Sequence, residues 1–409
     1  MSGVSFAFAL FKYFPHGGLQ RDFLKFTRTA LERGHRVRAY APDWDQAPAD
    51  LAGAAQLDLV RIERRGWTNH ARDAAFARAV LRHHAAAPTD LLFGFNKMPG
   101  LDAYYVADSC YVAKAHAQRS RGYRLLPRYR GYAALEQAVF AAAAPTRILA
   151  ISARELAIYQ QVYGTPSSRC LLLPPGIEPD RVALNRSPEQ EAKLINAVRA
   201  DLGLTPGERL LCFIGSGFRK KGLDRALRAF AALPAAQRDS LRLLVAGRDK
   251  AAPFQALARQ LDIADRVIWA TAGRDDIPAC LAASSGCLLP ALDENTGTVI
   301  LEAMLSGVPV LATANCGYAH YLSDYDAGLV CPEPFQQHTL NAQLEALLDP
   351  AAQARWSANG RAAGSDPRWF QLSDSVLDEL ERLADVRRLA SATPSAAIAA
   401  VDSRAPDAH

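Results

Sequence analysis

Residues 290–312 read PALDENTGTVILEAMLSGVPVLA. The run Cys287-Leu288-Leu289-Pro290 that leads into them is short and apolar, the pattern of a strand buried on both faces of a parallel sheet. A polar loop follows, Asp293-Glu294-Asn295-Thr296-Gly297. Val299, Ile300, Ala303 and Met304 then recur at helical spacing until Gly307, and Val308-Pro309-Val310-Leu311 opens the next strand. Such a unit turns its loop toward a helix N-terminus, where unpaired N–H groups favour a phosphate. Two carboxylates, Glu294 and Glu302, flank that place. A carboxylate repels phosphate, so both suit hydroxyl donors better, and a hydroxyl-rich ligand carrying phosphate is a sugar nucleotide. A capped helix with surface glutamates would read the same in this stretch alone.

Upstream, Leu210-Leu211-Cys212-Phe213-Ile214 is a second buried strand, emptying into Gly215-Ser216-Gly217-Phe218-Arg219-Lys220-Lys221-Gly222. Leu223, Ala226, Leu227 and Phe230 mark the inward face of the helix that follows. A dinucleotide fingerprint needs glycine at position 220, where lysine stands, which excludes the NAD reading. Three cations at a glycine loop opening a helix suit a diphosphate. Leu243 to Arg248 and Val267-Ile268-Trp269 add strands, and the alternation with helices is that of a doubly wound sheet.

The first half repeats the theme. Val4 to Phe11 reads as a strand, Lys12 to Gly18 as its loop, and Leu19, Phe23, Phe26 and Ala30 as one helix face before the strand Val37 to Ala41. Gly17 and Gly18 stand where a backbone must approach something closely. Leu91 to Phe95 is another strand. Tyr104 to Ala107 leads to Asp108, an acid at the carboxyl end of a strand, which is the ligand crevice of an open α/β sheet, although a helix cap uses the same residue. Leu173-Pro174-Pro175-Gly176-Ile177 marks a stiff junction, with Arg181 just beyond it. The expected class is therefore α/β, with Rossmann-like domains over 1–175 and 176–365. A terminal helix over 366–389 carries Val376, Leu377, Leu380, Leu383 and Val386 on one face. The Ala/Pro/Ser/Asp-rich tail 390–409 is expected to be disordered.

Composition narrows the class further. The chain has 409 residues, half of them hydrophobic and 22% charged, more than one comfortable core holds. Seven cysteines form no C-x-x-C pair, as expected for buried thiols in a reducing compartment. No H-E-x-x-H occurs, and the D-x-D triplets Asp43-Trp44-Asp45 and Asp324-Tyr325-Asp326 read as solvated loops, so no metal is expected. The apolar run after Val4 lacks a signal peptide's length and basic lead-in, and no stretch is long enough to span a membrane. Residues 1–175 hold 23 Lys/Arg against 13 Asp/Glu, and the remainder 24 against 29, which points to an anionic partner for the first half. Within 111–140, Lys114, Arg119, Arg121, Arg124, Arg128 and Arg130 meet a single acid, Glu136, among five aromatic rings. Such a segment suits an anionic membrane surface, and nucleic acid would be served by the same residue types; no nucleic-acid fold signature accompanies it, so the membrane surface is preferred.

Glu294 and Glu302, with Gly297 between them, resemble the paired-glutamate motif of retaining GT-B glycosyltransferases of family 4. Phe11-Lys12-Tyr13-Phe14-Pro15-His16-Gly17-Gly18-Leu19-Gln20-Arg21-Asp22-Phe23 is similar to the lipopolysaccharide core glucosyltransferase I type within it. So are Gly94 to Asp102, Leu173 to Ile177 with Arg181, and Cys316-Gly317-Tyr318-Ala319-His320-Tyr321. The resemblance runs from about residue 6 to 330. It implies two Rossmann-like domains facing across a nucleotide-sugar cleft, the last helix returning to the first domain. It further implies UDP-glucose as donor, an inner-core heptose of phosphorylated lipopolysaccharide as acceptor, an α-1,3 linkage, no metal cofactor, and a cytoplasmic enzyme peripheral on the inner membrane.

By the same resemblance Glu302 holds the ribose hydroxyls and Glu294 the hexose hydroxyls. Lys220, Lys221 and the backbone at Gly297-Thr298 face the diphosphate, with Gly17, Gly18 and Asp22 beside it. Arg181 neutralises the leaving group, and Asp108 stands where many relatives carry histidine. The segment 111–140 matches the one this type lays on the inner membrane. Two departures stand out. The diphosphate loop reads Lys220-Lys221-Gly222 instead of Arg-Lys-Gly, and Asn295-Thr296 replaces a pair of alanines next to the sugar. A different hexose donor or glycan acceptor is the nearest alternative; a non-enzymatic nucleotide- or nucleic-acid-binding protein would leave the paired glutamates without a task.

Overall fold

Strands of this chain are short apolar runs, and they assemble into two sheets in the computed structural model, which describes residues 3–14, 17–44, 48, 51, 54–182, 187–271, 274 and 276–392. The first sheet contains β1 (Ser5–Ala9), β2 (Arg36–Ala41), β3 (Leu57–Arg61), β4 (Leu91–Gly94), β5 (Ala103–Val106), β6 (Arg147–Ala150) and β7 (Cys170–Leu172), in the order β3-β2-β1-β4-β5-β6-β7. The second contains β8 (Arg209–Ile214), β9 (Leu241–Ala246), β10 (Val267–Ala270), β11 (Gly286–Leu289), β12 (Val310–Thr313) and β13 (Gly328–Cys331), ordered β10-β9-β8-β11-β12-β13. β1 runs parallel to β2 and β4, with Phe6 opposite Leu91 and Phe8 opposite Phe93. Every pairing in the second sheet is parallel. In each sheet the order reverses beside the first strand of its unit, which places ligand loops at the carboxyl edge there.

The chain divides into two compact units. One comprises the chain through Leu149, Tyr159–Leu171 and everything from Ser373 onward; the other comprises Ala150–Ile158 and Leu172–Leu372. The first has an aromatic core. Phe8, Phe23, Phe26, Phe93 and Phe95 are buried, with ring centroids 5.0 Å apart for Phe93 and Phe95 and 5.1 Å for Phe23 and Phe95. Each such side chain contributes about 1.5–3 kcal/mol of burial. In the second unit the alternation of β8 feeds two cores. Leu210, Cys212 and Ile214 pack on one face of the sheet, and Leu211 and Phe213 on the other.

The helix Leu372–Ala392 belongs to the first unit and is fixed there by charge as well as packing. Arg33 pairs with Asp374 and Asp378 at 2.7 Å and Glu381 at 3.1 Å; Arg147 pairs with Glu379 at 2.6 Å and Arg388 with Asp90 at 2.9 Å. Val376, Leu377, Leu380 and Ala384 are buried, whereas Val386 is 52% exposed and does not continue the apolar face expected for it. Two residues past Ala384 turn a helix by about 200°, so Val386 points away, and Arg388, four residues past Ala384, takes the inward register beside Asp90. The helix extends past 389, and the tail 393–409 lies outside the described residues. β3, β13 and the helices Asn69–Ala86 and Pro188–Asp201 were not anticipated from the sequence pattern.

All seven cysteines are free, and Cys170 alone among them is not buried. Asp326 is more than a solvated loop residue: its carboxylate accepts from Arg355 at 2.8 Å and from the Trp356 indole at 3.0 Å, tying the helix Pro350–Ala363 to the end of β12's following helix His320–Asp324. Trp44 of the other triplet packs on Tyr13 and Phe23, and Asp45 lies outside the described residues. No helix among the described residues is long and apolar enough to cross a membrane.

Candidate active site

In the second unit the loops leaving β8 and β11 bring Lys221 and Glu294 together, Nζ to Oε2 2.7 Å. Lys221 is aimed by the loop itself. A Cβ on Gly215 would sit 2.8 Å from Lys221 Cε, so the glycine leaves room for the lysine stem to lie across β8's end. Phe218, fully buried, pins the loop from below, and its N–H donates to Asp249 at 2.7 Å. Lys220 is exposed, and its carbonyl accepts from Leu292 N–H at 2.9 Å, stitching the two loops to each other.

Glu294 is held by backbone on both sides. Its carbonyl accepts from Gly317 N–H at 3.0 Å, its N–H donates to the Asn315 carbonyl, and it forms an isolated parallel bridge with Cys316. The Cys316–Tyr321 segment is thus the frame of the Glu294 loop. Gly297 then caps the helix Thr298–Leu305 in the left-handed region, φ 79°, a conformation that costs a residue with a Cβ about 1–2 kcal/mol. The first N–H groups of that helix have no acceptor within it, so this edge presents amide donors beside the Lys221 ammonium. Glu302 is buried one turn in, and Arg181 grips it with Nε at 3.2 Å and Nη2 at 3.4 Å. Four of the predicted residues of this unit therefore form two ion pairs, Lys221 with Glu294 and Arg181 with Glu302, at the carboxyl edge near β8 and β11.

Asn295 is the anomaly. It is 7% exposed, and neither its amide nitrogen nor its amide oxygen has a hydrogen-bond partner. Next to it, Thr296 accepts from Tyr318 N–H at 2.8 Å through its carbonyl.

In the first unit, Gly17 precedes the helix Gly18–Glu32, and its carbonyl accepts from Arg21 N–H at 3.0 Å; the space beside Gly18 Cα is open. Asp22, on that helix, accepts from the Tyr105 hydroxyl at 2.9 Å. Asp108 follows β5. Its carboxylate accepts from the Tyr104 hydroxyl at 2.7 Å and lies 3.0 Å from Lys97 Nζ, yet it is 57% exposed and so reaches solvent at the strand ends.

Beneath Asp108 lies a network that sequence reasoning missed. Lys97 Nζ donates to Glu136 Oε1 at 2.7 Å, and Glu136 is fully buried. Glu136 also accepts from the N–H groups of Tyr111 and Val112, at 2.8 and 3.0 Å, and from the Tyr163 hydroxyl at 2.8 Å. It therefore caps the helix Tyr111–Gln118 from the neighbouring helix Pro127–Phe140. Burial pushes the Glu136 carboxyl up, but Lys97 and the two helix N–H groups outweigh it and hold it below the ordinary range. Lys97 is raised above its usual value: burial lowers it, and the carboxylates of Asp108 and Glu136 prevail. Burial and the Glu136 charge push the Cys110 thiol up to about 12, so it is no nucleophile at neutral pH. A lone acid inside an arginine-rich stretch was the available signal. With Glu136 turned inward against Lys97, every formal charge exposed within 111–140 is positive, on Arg119, Arg121, Arg124, Arg128 and Arg130, and Leu125 and Leu126 are exposed among them.

Sequence and fold comparisons agree on the family of the chain. The lipopolysaccharide glucosyltransferase WaaG of Escherichia coli K12 is 39% identical over 91% of this chain and 97% of its own. Family models for Glycosyltransferase Family 4 and for Glycosyl transferases group 1 match residues 16–181 and 195–363. The chain is a family 4 glycosyltransferase of the WaaG type. A crystal structure of WaaG superposes with a TM-score of 0.81 at 38% identity, covering 93% of this chain and 99% of that one. The transferase therefore has the GT-B fold. Anabaena HepE in complex with UDP and glucose matches at 0.69 with 18% identity, a likeness of fold alone. A GDP-mannose-dependent phosphatidylinositol monomannoside mannosyltransferase of Mycobacterium tuberculosis is 26% identical over 89% of the chain.

Proposed function

We propose that this transferase moves glucose from UDP-glucose to an inner-core heptose of lipopolysaccharide, with retention at the anomeric carbon and an α-1,3 linkage. The observation that carries the reading is the pairing of Lys221 with Glu294 beside the first amides of the helix Thr298–Leu305. A diphosphate at this edge would meet an ammonium and helix N–H groups, while Glu294, relieved of Lys221, would accept from hexose hydroxyls. Glu302 would accept from the ribose and release Arg181 toward the departing phosphate. The acceptor hydroxyl attacks the anomeric carbon on the face UDP leaves, a diphosphate oxygen takes its proton, and Asp108 contacts a reacting hydroxyl. Catalysis then rests on positive charge at Lys220, Lys221, Arg181 and the helix end, the charge a divalent ion would otherwise supply, so the reaction proceeds without metal.

The outer surface of 111–140, whose exposed charges are all positive, would rest on anionic lipid at the cytoplasmic face of the inner membrane, each charge adding about 1 kcal/mol. Anionic vesicles should bind the protein in a salt-sensitive way, and charge reversal at Arg121, Arg124 and Arg128 should abolish it.

Asn295 favours a second reading, a different hexose. Its unpaired amide costs about 1–3 kcal/mol unless something bonds it, and a differently disposed sugar hydroxyl could. Radiolabelled UDP-glucose, heptose-terminated glucose-free core and a chelator test both. Glucose transfer surviving the chelator supports the first reading; transfer only from UDP-galactose or UDP-N-acetylglucosamine supports the second.

A further inference from the structure

The first unit carries a concavity, not lined by Asp108, at the carboxyl ends of β1, β2 and β3. Lys12 follows β1, Pro42 and Asp43 follow β2, Arg61 ends β3, the turn Glu63–Gly66 continues from it, and Arg72 comes from the helix Asn69–Ala86. Together they line a cleft of about 530 Å³, the size of a small-ligand site. Five cations face two carboxylates on this wall.

The cations differ in how they are engaged. Arg64 is neutralised by the buried Asp73, and Arg65 by Glu63 at 2.8 Å. Lys12, Arg61 and Arg72 have no carboxylate partner among the described residues. Arg61 Nε donates to the Pro42 carbonyl at 3.1 Å, and Arg72 Nε to the Gly66 carbonyl at 2.7 Å. Both guanidinium groups are therefore held by one edge, which leaves their Nη edges for a planar or tetrahedral anion. Lys12 Nζ stands 5.4 Å from the ring centre of Phe14, itself 40% exposed. Trp67, directly after Gly66 of the cleft wall, is 100% exposed. An indole left wholly in water one residue past the wall of an arginine-lined cleft offers the two kinds of group that bind a sugar, whose C–H face is apolar, with an acidic substituent at its edge.

We infer that this cleft binds an anionic sugar of the acceptor, a phosphate or carboxylate on Arg61, Arg72 and Lys12 with the pyranose face on Trp67. The inference rests on the proposed glycosyl transfer, and it gives a task to cations of the first half that lie outside the segment 111–140. The donor's diphosphate has its own cations at Lys221 and Arg181. A flat lipid surface would not need guanidinium groups oriented around a cavity.

The test is calorimetric titration of the full chain, UDP present, with deacylated glucose-free core oligosaccharide, intact or stripped of phosphate with its carboxylates reduced. Arg61→Gln/Arg72→Gln should weaken binding of the intact glycan at least 10-fold, and Trp67→Ala about 5-fold, with UDP affinity within twofold of wild type. The stripped glycan should bind wild type as weakly as the intact one binds the double variant. Equal glycan binding by wild type and the double variant overturns the inference, as does failure of wild type to bind the intact glycan. A loss confined to anionic phosphatidylglycerol vesicles overturns it in favour of a lipid contact. Transfer from UDP-glucose, assayed separately, reports on the proposed function: glycan binding without transfer would sink that reading and keep this one.

Discussion

Lys221 and Glu294 lie 2.7 Å apart, each less than a fifth exposed, where two sheet-end loops of the second unit meet. Neither needs the other for the fold: Phe218 and the Cys316–Tyr321 frame hold their loops independently. Lys221→Ala should therefore lower kcat/KM about 10²–10³-fold, the effect of losing one positive donor at a developing anion, while the circular dichroism spectrum stays that of wild type. Glu294→Ala should do the same, and Glu294→Gln should retain part of the activity because one acceptor oxygen remains. Steady-state rates at saturating acceptor decide it; full activity of either alanine variant would remove the pair from the site.

Arg181 and Glu302 make a different prediction, on binding. Glu302 is buried and paired through both carboxylate oxygens. If it serves the ribose, Glu302→Gln should raise the Kd for UDP about 10-fold, equivalent to about 1.4 kcal/mol, and leave the affinity for inorganic pyrophosphate alone. Competition titration with the two ligands separates the roles; equal losses would assign Glu302 to Arg181's support only.

The legibility of these pairs in the sequence has a physical basis. Strands buried on both faces read as apolar runs, so β1, β4, β8 and β11 and the polar loops after them stood out. β3, Leu57–Arg61, has no fully buried residue and alternates with Asp58 and Arg61, so its run was lost. The helix Asn69–Ala86 buries only Asp73, Phe76, Ala77 and Val80, and apart from Asn69 and Leu81 the rest is arginine, histidine and alanine, which blurs its face. The spacing of Glu294 and Glu302 is local and visible. The union of Lys97 with Glu136, across 39 positions, is tertiary: Glu136 stands out as a lone acid among arginines, but nothing in either neighbourhood names Lys97 as its partner.

That union carries a stability prediction. Lys97→Met leaves Glu136 charged, fully buried and without its cation, which should cost about 3–5 kcal/mol. Glu136→Gln in the same chain removes the stranded charge and should restore part of the loss, a coupling that a double-mutant cycle in urea measures. Additive effects would show that the pair is not energetically linked. Because Lys97 also touches Asp108, the double variant, once refolded, should still transfer sugar more slowly than wild type.

The terminal helix carries the acid sensitivity. Burial pushes the Asp90 carboxyl up, but the hydrogen bond from Arg388, the N–H and hydroxyl of Ser5, and the Arg388 charge overcome it and hold it at about 2. A carboxyl held lower in the folded chain than in the unfolded one stabilises the fold above its unfolded value. That contribution fades as pH falls from the ordinary carboxylate range, near 3.8, through about 2. Glu379 and Glu381 are depressed in the same direction: burial opposes, and Arg382 with Arg147, and His35 with Arg33, prevail. The helix from Leu372 should thus loosen from the first unit at acid pH. Arg388→Ala removes part of this dependence, so its urea midpoint should lie below wild type at pH 7 and converge on it toward pH 2.5. A constant difference across that range would show that Arg388 acts by packing and not through Asp90.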